Sequence, residues 1–388
     1  MQILNLIPNV LSKAIPIIFS FAGLGLLITV HEFGHFFFCK VFGVNTPTFS
    51  IGFGPEIFRR KIGQTDFRLA IIPFGGYVEI AGMAEVGQGE QEHANDTGDN
   101  SFANKWYWQK FFILVGGILF NLLFAYTIFC GMFLIGSSSK DKGIKVANIV
   151  KDSAAAKYGL KEEDKILGIN DLKLDFENEE TLLDQRQNLL SEIRLNPNKE
   201  VTLFVKRANE DLALKIVLAS KPDDDGKEFG ILGAYFDAPM PRLPFFKAIK
   251  TGIEYTNQLI VGLILGIKKL ISSRSLEGTM GPVMILSQGA AVAKSGILAF
   301  LIFLAMLSIS LAVMNILPIG ALDGGQLLFV TIEAIIRRKI PETIKLVINL
   351  ASWILIVSLA VYLSFKELRV LFGKNIESLF GKILGLFK

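Results

Sequence analysis

Residues 14–38 read AIPIIFSFAGLGLLITVHEFGHFFF, and this stretch decides the architecture. It carries no charge from Ala14 to Val30 and, extended through Phe38, is long enough for a helix that crosses a bilayer, which takes about 20 apolar residues. At its end stands His31-Glu-Phe-Gly-His35. Residues four apart share a helix face, so His31 and His35 are placed to bind one Zn²⁺ through imidazole nitrogens, with Glu32 able to reach a metal-bound water. Intramembrane histidines also serve as packing partners or proton paths, but that reading gives no reason for Glu32 or for the spacing. The chain has only 3 His, which makes a chance pairing a poor explanation.

The composition agrees with the motif. At 388 residues and 51% hydrophobic content, with a mean hydropathy of +0.46, the chain reads as a polytopic α-helical membrane protein carrying some soluble mass. Three further uncharged runs, 111–135, 295–322 and 346–365, bring the expected spans to four. The formal charge of +4 is spread thinly, which excludes nucleic acid as a partner. Cys39 and Cys130 sit in or beside apolar runs and offer neither a disulfide framework nor a CxxC site. Lys13 before an apolar core imitates a signal peptide, but no small-residue cleavage site follows, so the segment is expected to be retained. The stretch 255–267 is short for a span and reads as interfacial or re-entrant.

The expected order along the chain is a first span over 1–40, a membrane re-entrant β region with a polar loop over 41–110, and a second span over 111–136. A soluble α/β domain over 143–220 follows, then amphipathic or interfacial helices over 241–292. A third span over 293–323, a cytoplasmic loop over 324–345, a fourth span over 346–366 and an amphipathic tail over 367–388 complete it. Within 46–83, alternation at 66–70 and 76–80 predicts hairpin-like strands, with Gly52, Gly54, Pro55, Gly75 and Gly76 as turns. Residues 84–104 turn acidic and polar, so His93 reads as a solvated loop residue. In the soluble domain, strands are expected over 144–150, 165–170, 201–206 and 212–218, and helices over 153–158 and 179–194. The run Ser153-Ala-Ala-Ala-Lys-Tyr-Gly-Leu160 with Asp164-Lys-Ile-Leu-Gly-Ile-Asn170 resembles a PDZ domain, which implies a peptide ligand added to a sheet edge. A small α/β plug without binding capacity is the other reading.

Two histidines leave a catalytic zinc short of its usual three protein ligands. The third span ends Met314-Asn-Ile-Leu-Pro318-Ile-Gly-Ala-Leu-Asp323-Gly-Gly-Gln326. Asp323 is either the third ligand, since a carboxylate at such depth is costly, or the cap of a break at Gly324 and Gly325. Spans one and three run in the same direction, so His31, His35 and Asp323 are expected at similar depth. HExxH together with N-x-x-P-x-x-x-L-D-G resembles the site-2 protease family of intramembrane zinc metalloproteases, in its bacterial regulator-of-sigma-E form with a PDZ insertion. Gly52-Phe-Gly-Pro55 and Pro73-Phe-Gly-Gly-Tyr77 extend the resemblance over nearly the whole chain.

The resemblance implies His31, His35 and Asp323 as zinc ligands, Glu32 as general base and Asn315 as a polar contact to substrate or transition state. It implies that the β region guides an unwound substrate strand, with Gly75, Gly76, Tyr77 and Pro318 as substrate contacts. The implied substrates are single-span membrane proteins such as anti-sigma factors, or remnant signal peptides. The implied location is the bacterial cytoplasmic (inner) membrane, with the termini and the PDZ-like domain outside and the active site toward the cytoplasm. Arg59, Arg60, Lys61 and Arg68, and Arg337 to Lys339, agree with that orientation, while Lys366, Arg369, Lys374, Lys382 and Lys388 argue mildly against it. Two departures stand out: one PDZ-like insertion where the family's best-known members have two, and Gly116-Gly-Ile-Leu-Phe-Asn121 where the family carries G-P-x-x-N. The second reads Asn121 as a structural hydrogen-bonding residue. Two competing functional classes are a metal or proton transporter, which calls for internal repeats, and a membrane-tethered PDZ scaffold with a structural metal site.

Overall fold

The computed structural model describes residues 2–83, 92–136, 143–176, 182–222, 227–237, 240–273, 276 and 279–385. The chain begins with Gln2–Val41 (α1), Thr48–Ile62 (β1), Thr65–Val78 (β2) and Tyr107–Ile135 (α2). Ile144–Ile149 (β3), Ala154–Lys157 (α3), Lys165–Ile169 (β4), Leu172–Lys173 (β5), Leu182–Leu195 (α4), Glu200–Arg207 (β6) and Glu210–Val217 (β7) follow. Next come Ala219–Pro222 (β8), Glu228–Ile231 (β9), Ala234–Asp237 (β10) and Phe245–Ser273 (α5). Pro282–Lys294 (α6), Ile297–Asn315 (α7), Asp323–Ile336 (α8) and Glu342–Gly385 (α9) close it. Two compact units result, one from 1–128 with 258–388 and one from 129–257.

Among the described residues, four helical segments are long and apolar enough to cross a membrane: Ile15–Val41, Tyr107–Ile135, Ile297–Asn315 and Glu342–Arg369. They fall where the four uncharged runs placed them. α1 stops where Gly43 adopts a positive φ of 66° and the Val44 N–H reaches back to the Cys39 carbonyl at 2.8 Å, a glycine-terminated helix end. The backbones of α1 and α2 then meet at glycine. A Cβ on Gly34 would lie 2.2 Å from the Gly116 carbonyl oxygen, and one on Gly116 would lie 2.5 Å from that of Gly34.

β1 and β2 form a long twisted hairpin closed by Gly63, with Ile62 opposite Thr65. The start of β1 is paired twice. Thr48 to Ile51 runs in step with Asp66 to Leu69, and on its other side Phe49 faces Val78 while Ile51 faces Gly76. Gly76 to Val78 is therefore an outer segment of this sheet. The turns expected at Gly52, Gly54 and Gly75 are instead irregularities inside the strands, which bend the sheet enough to pair β1 twice. α1 packs tightly on β2, as a Cβ on Gly25 would sit 2.2 Å from the Pro73 carbonyl oxygen.

The expected third span is shorter than the sequence suggested. α7 ends at Asn315, because Pro318 lacks an N–H and disfavours helical geometry at Leu317. Asp323 is not on that span at all: it opens α8, which occupies 323–336 where a loop was expected. Gly324 and Gly325 lie in the first turn of α8. They bring the first turn of α8 onto the connector, since Cβ atoms there would lie 2.4 Å from the Ile316 oxygen and 2.2 Å from the Ile319 oxygen. The short stretch 255–267 is the middle of a single 29-residue helix, α5. α6 has Gly281 as its N-cap and no side-chain cap of its own. The carboxylate of Glu367 on α9 accepts from the Gly281 and Met284 amides in its place. The polar segment 84–91 and the side chains of the amphipathic tail, Leu379, Phe380, Ile383, Leu384 and Phe387, lie outside the described residues.

The second unit holds an antiparallel sheet in the order β10-β3-β4-β6-β7, with β5 paired to β4, and a separate β8–β9 hairpin. Its core is apolar, centred on Ile144, Ile166, Leu189, Leu203, Val205 and Ile216. Ser153 caps α3 through its side chain. The domain does not end at 220: β10 lies at the sheet edge, with Ala234 opposite Ile149 on β3. A four-residue strand has too little periodicity to be legible in sequence. The helix expected from 179 is α4 from Leu182, and 177–181 lie outside the described residues.

Candidate metal centre and active site

α1 places His31 and His35 one turn apart, so both rings project from one face, with their Nε2 atoms 3.2 Å apart. α8 brings in Asp323 from the other end of the chain. Its Oδ2 lies 3.1 Å from His31 Nε2 and 3.5 Å from His35 Nε2. These three groups form the one potential metal-binding cluster among the described residues. The spacing fits an ion: tetrahedral zinc with ligand bonds of ~2.0–2.2 Å has donor–donor edges of ~3.3–3.6 Å.

The proton positions fit as well. His35 Nδ1 is 2.7 Å from the Ile113 carbonyl oxygen, which only accepts, so Nδ1 carries the hydrogen and Nε2 of the neutral ring presents a lone pair. That lone pair faces a buried carboxylate oxygen, Asp323 Oδ2, which has no hydrogen-bond partner among the described residues. Lone pair against lone pair is repulsive. A cation between them removes the repulsion, and a main-chain carbonyl behind the ligating histidine is the usual support for such a site.

Around the triad stand a buried carboxylate, the end of a strand and a side-chain amide. Glu32 is buried, and its Oε2 accepts the Val78 amide at 3.1 Å, which ties the end of β2 to the helix carrying the histidines. Asn315, the last residue of α7, holds its Nδ2 3.4 Å from His31 Nε2. Of the expected substrate contacts, Gly76 and Tyr77 lie on the outer β2 segment, opposite Ile51 and Ser50, with Gly75 preceding them at a φ of 107°. The Tyr77 ring stacks on Phe53 with centroids 6.3 Å apart. Pro318 is exposed in the α7–α8 connector and sets the end of α7. His93 is not at the centre: it donates to buried Glu79 beside a polar cavity of about 1120 Å³ that Arg59, Lys61, Asp66 and Arg68 also line.

Two α2 residues at the centre carried only a faint signal in the sequence. A Cβ on Gly117 would lie 2.5 Å from both His31 Cε1 and His35 Nε2, so glycine there is what admits both rings. One turn later, Asn121 Nδ2 is 3.2 Å from His31 Nδ1. The i, i+4 spacing of Gly117 and Asn121 places them on one face of α2.

A family model described as Peptidase family M50 matches residues 19–359. The chain belongs to Peptidase family M50. Relatives similar over most of the chain bear the name "Putative zinc metalloprotease". The one from Clostridium perfringens is 31% identical over 91% of this chain and 98% of its own length. The one from Helicobacter pylori strain J99 is 32% identical over 88% and 95%, and the one from Nostoc is 29% identical over 90% and 94%. As an M50 member with four apolar helices of spanning length, the chain is a metalloprotease and a multi-pass membrane protein.

Proposed function

We propose that this M50 protein is an intramembrane zinc metalloprotease of the site-2 type, which cuts the transmembrane segments of single-span proteins. The observation that carries the reading is the meeting of His31 Nε2, His35 Nε2 and Asp323 Oδ2 within 3.5 Å of one another beside buried Glu32. Zinc is the metal the donor set and the relatives' names favour, and when bound it lowers the pKa of water and polarises the scissile carbonyl. Glu32 takes the proton from the attacking water and passes it to the departing amine nitrogen as the C–N bond breaks. The Val78 amide holds one carboxylate oxygen in place for this exchange. Asn315 donates from Nδ2 to the carbonyl oxygen as it gains negative charge.

A peptide bond in a helix is shielded by its own hydrogen bonds, so the substrate must be unwound before it is cut. The Gly76–Val78 segment offers an unwound chain a strand to pair with, and Val78 touches Glu32, which brings such a chain to the base. Gly75, Gly76 and Tyr77 are thus the substrate-facing residues. The second unit reads as one PDZ-like domain with β10 as the peptide-accepting edge. The protein is read as residing in the bacterial cytoplasmic membrane, its active site toward the cytoplasm, with anti-sigma factors or remnant signal peptides as substrates.

The test is cleavage of a single-span reporter in proteoliposomes by the zinc-loaded full chain and by Glu32→Gln. The expected result is cleavage within the span by the first, and no cleavage with zinc retained by the second. Cleavage by Glu32→Gln at the wild-type rate refutes the role of Glu32, and an intact reporter with the loaded wild type refutes the proposed function.

A further inference from the structure

We propose that Asn121 is the positioning residue for His31: its side-chain oxygen accepts the Nδ1–H of that ring and so turns Nε2 toward the metal. The inference rests on His31 being a zinc ligand, as the proposed function has it.

The two histidines are supported differently. His35 leans on a main-chain carbonyl, that of Ile113, and no side-chain substitution can remove it. Behind His31 stands a side chain instead, Asn121, fully buried, with its Nδ2 3.2 Å from Nδ1. A neutral imidazole that gives Nε2 to a metal carries its hydrogen on Nδ1. The amide end facing Nδ1 must then be the oxygen, because an NH₂ there would set donor against donor. The opposite amide end, where Oδ1 stands, has no partner among the described residues, so turning the amide by half a turn breaks no hydrogen bond.

That unpaired end also excludes a packing role. A buried polar atom without a partner costs about 1–3 kcal/mol, and Leu offers the same branched skeleton of side-chain heavy atoms without that cost. A position selected for stability would carry an apolar residue. The main chain of Asn121 is meanwhile fixed, since its carbonyl accepts the Ser308 hydroxyl at 2.8 Å and ties α2 to α7 at this level. The arrangement keeps an unsatisfied amide at one turn of α2 and holds that turn still, and the group it faces is the first zinc ligand.

The experiment measures zinc affinity rather than cleavage, by competition with a fluorescent chelator on the full chain in detergent, alongside the thermal midpoint of the metal-free protein. Asn121→Leu should still fold, with a thermal midpoint within a few degrees of wild type, yet bind zinc ten- to a hundredfold more weakly, the usual loss when a ligand's orienting partner is removed. Asn121→Asp, which can only accept, should restore affinity to within a few fold of wild type. Wild-type affinity in Asn121→Leu overturns the proposal, as does an Asn121→Asp no better than Asn121→Leu. His31→Ala separates the two readings. If it binds zinc as wild type does, the metal-site assignment falls as well. If it loses zinc while Asn121→Leu does not, only the role of Asn121 falls.

Discussion

Gly117→Ala should empty the metal centre while leaving the rest of the molecule nearly intact. The added methyl would sit 2.5 Å from His31 Cε1, 2.5 Å from His35 Nε2 and 2.7 Å from His31 Nδ1. Carbon contacts settle at about 3.5–4.0 Å, so each ring must retreat by roughly 1 Å. Metal–ligand distances tolerate only about ±0.2 Å. The helices offer no slack, because α1 and α2 are already at backbone contact at Gly34 and Gly116. The overpacking should cost about 1–3 kcal/mol of stability, while losing both histidine bonds should weaken zinc binding at least a hundredfold, or about 2.8 kcal/mol at 1.4 per tenfold. Chelator competition reads the affinity and a thermal melt reads the fold. Gly131→Ala is the control on the same helix: a Cβ there meets no heavy atom within 4 Å, so zinc affinity should not change. Gly117→Ala with wild-type zinc affinity would refute the geometry.

Three other substitutions probe separate parts of the molecule. Asp323→Ala removes the proposed ligand on α8, and metal analysis after dialysis should find zinc lost along with activity; a full retained equivalent would refute its assignment. Glu367→Ala leaves the Gly281 and Met284 amides without their carboxylate, at a cost of roughly 1.5–3 kcal/mol, and hydrogen exchange should quicken in the first turn of α6; unchanged exchange there would sink the capping role. Burial raises the Asp164 carboxyl, but the Arg207 guanidinium and the Lys161 amide outweigh it and hold it below the ordinary aspartate range. A carboxyl depressed on folding stabilises at and above its unfolded pKa, about 3.9, and that stability drains away as pH falls through the lower folded value. Asp164→Asn should therefore lower full-chain stability near neutrality and flatten its decline in acid. Parallel acid-unfolding curves for the two proteins would count against the pair.

The spans were legible in the sequence because membrane crossing is a matter of composition over about 20 residues. So was the pairing of His31 with His35, because i, i+4 adjacency is built into any helix. Asp323 was legible as a candidate ligand from its cost and its motif, but not as the first residue of α8. That placement follows from Pro318 ending α7 and from Gly324 and Gly325 letting the next helix fold back onto the connector. The turns expected at Gly52, Gly54 and Gly75 became irregularities for a similar reason: one strand start pairs with two distant segments, and local turn chemistry does not report long-range pairing. β10 was invisible because four residues carry no period.

From the sequence alone came the membrane-spanning class, the His31–His35 face, Glu32 beside it and a carboxylate at Asp323. Each is a property of neighbours along the chain or of hydrophobic length. The tertiary structure alone decided that three donors separated by up to 292 positions in sequence meet within 3.5 Å, that Gly117 makes room for both rings, and that Asn121 stands behind His31. Those facts depend on how closely two helices approach and which faces they turn to each other. Packing sets both, and no local pattern encodes them.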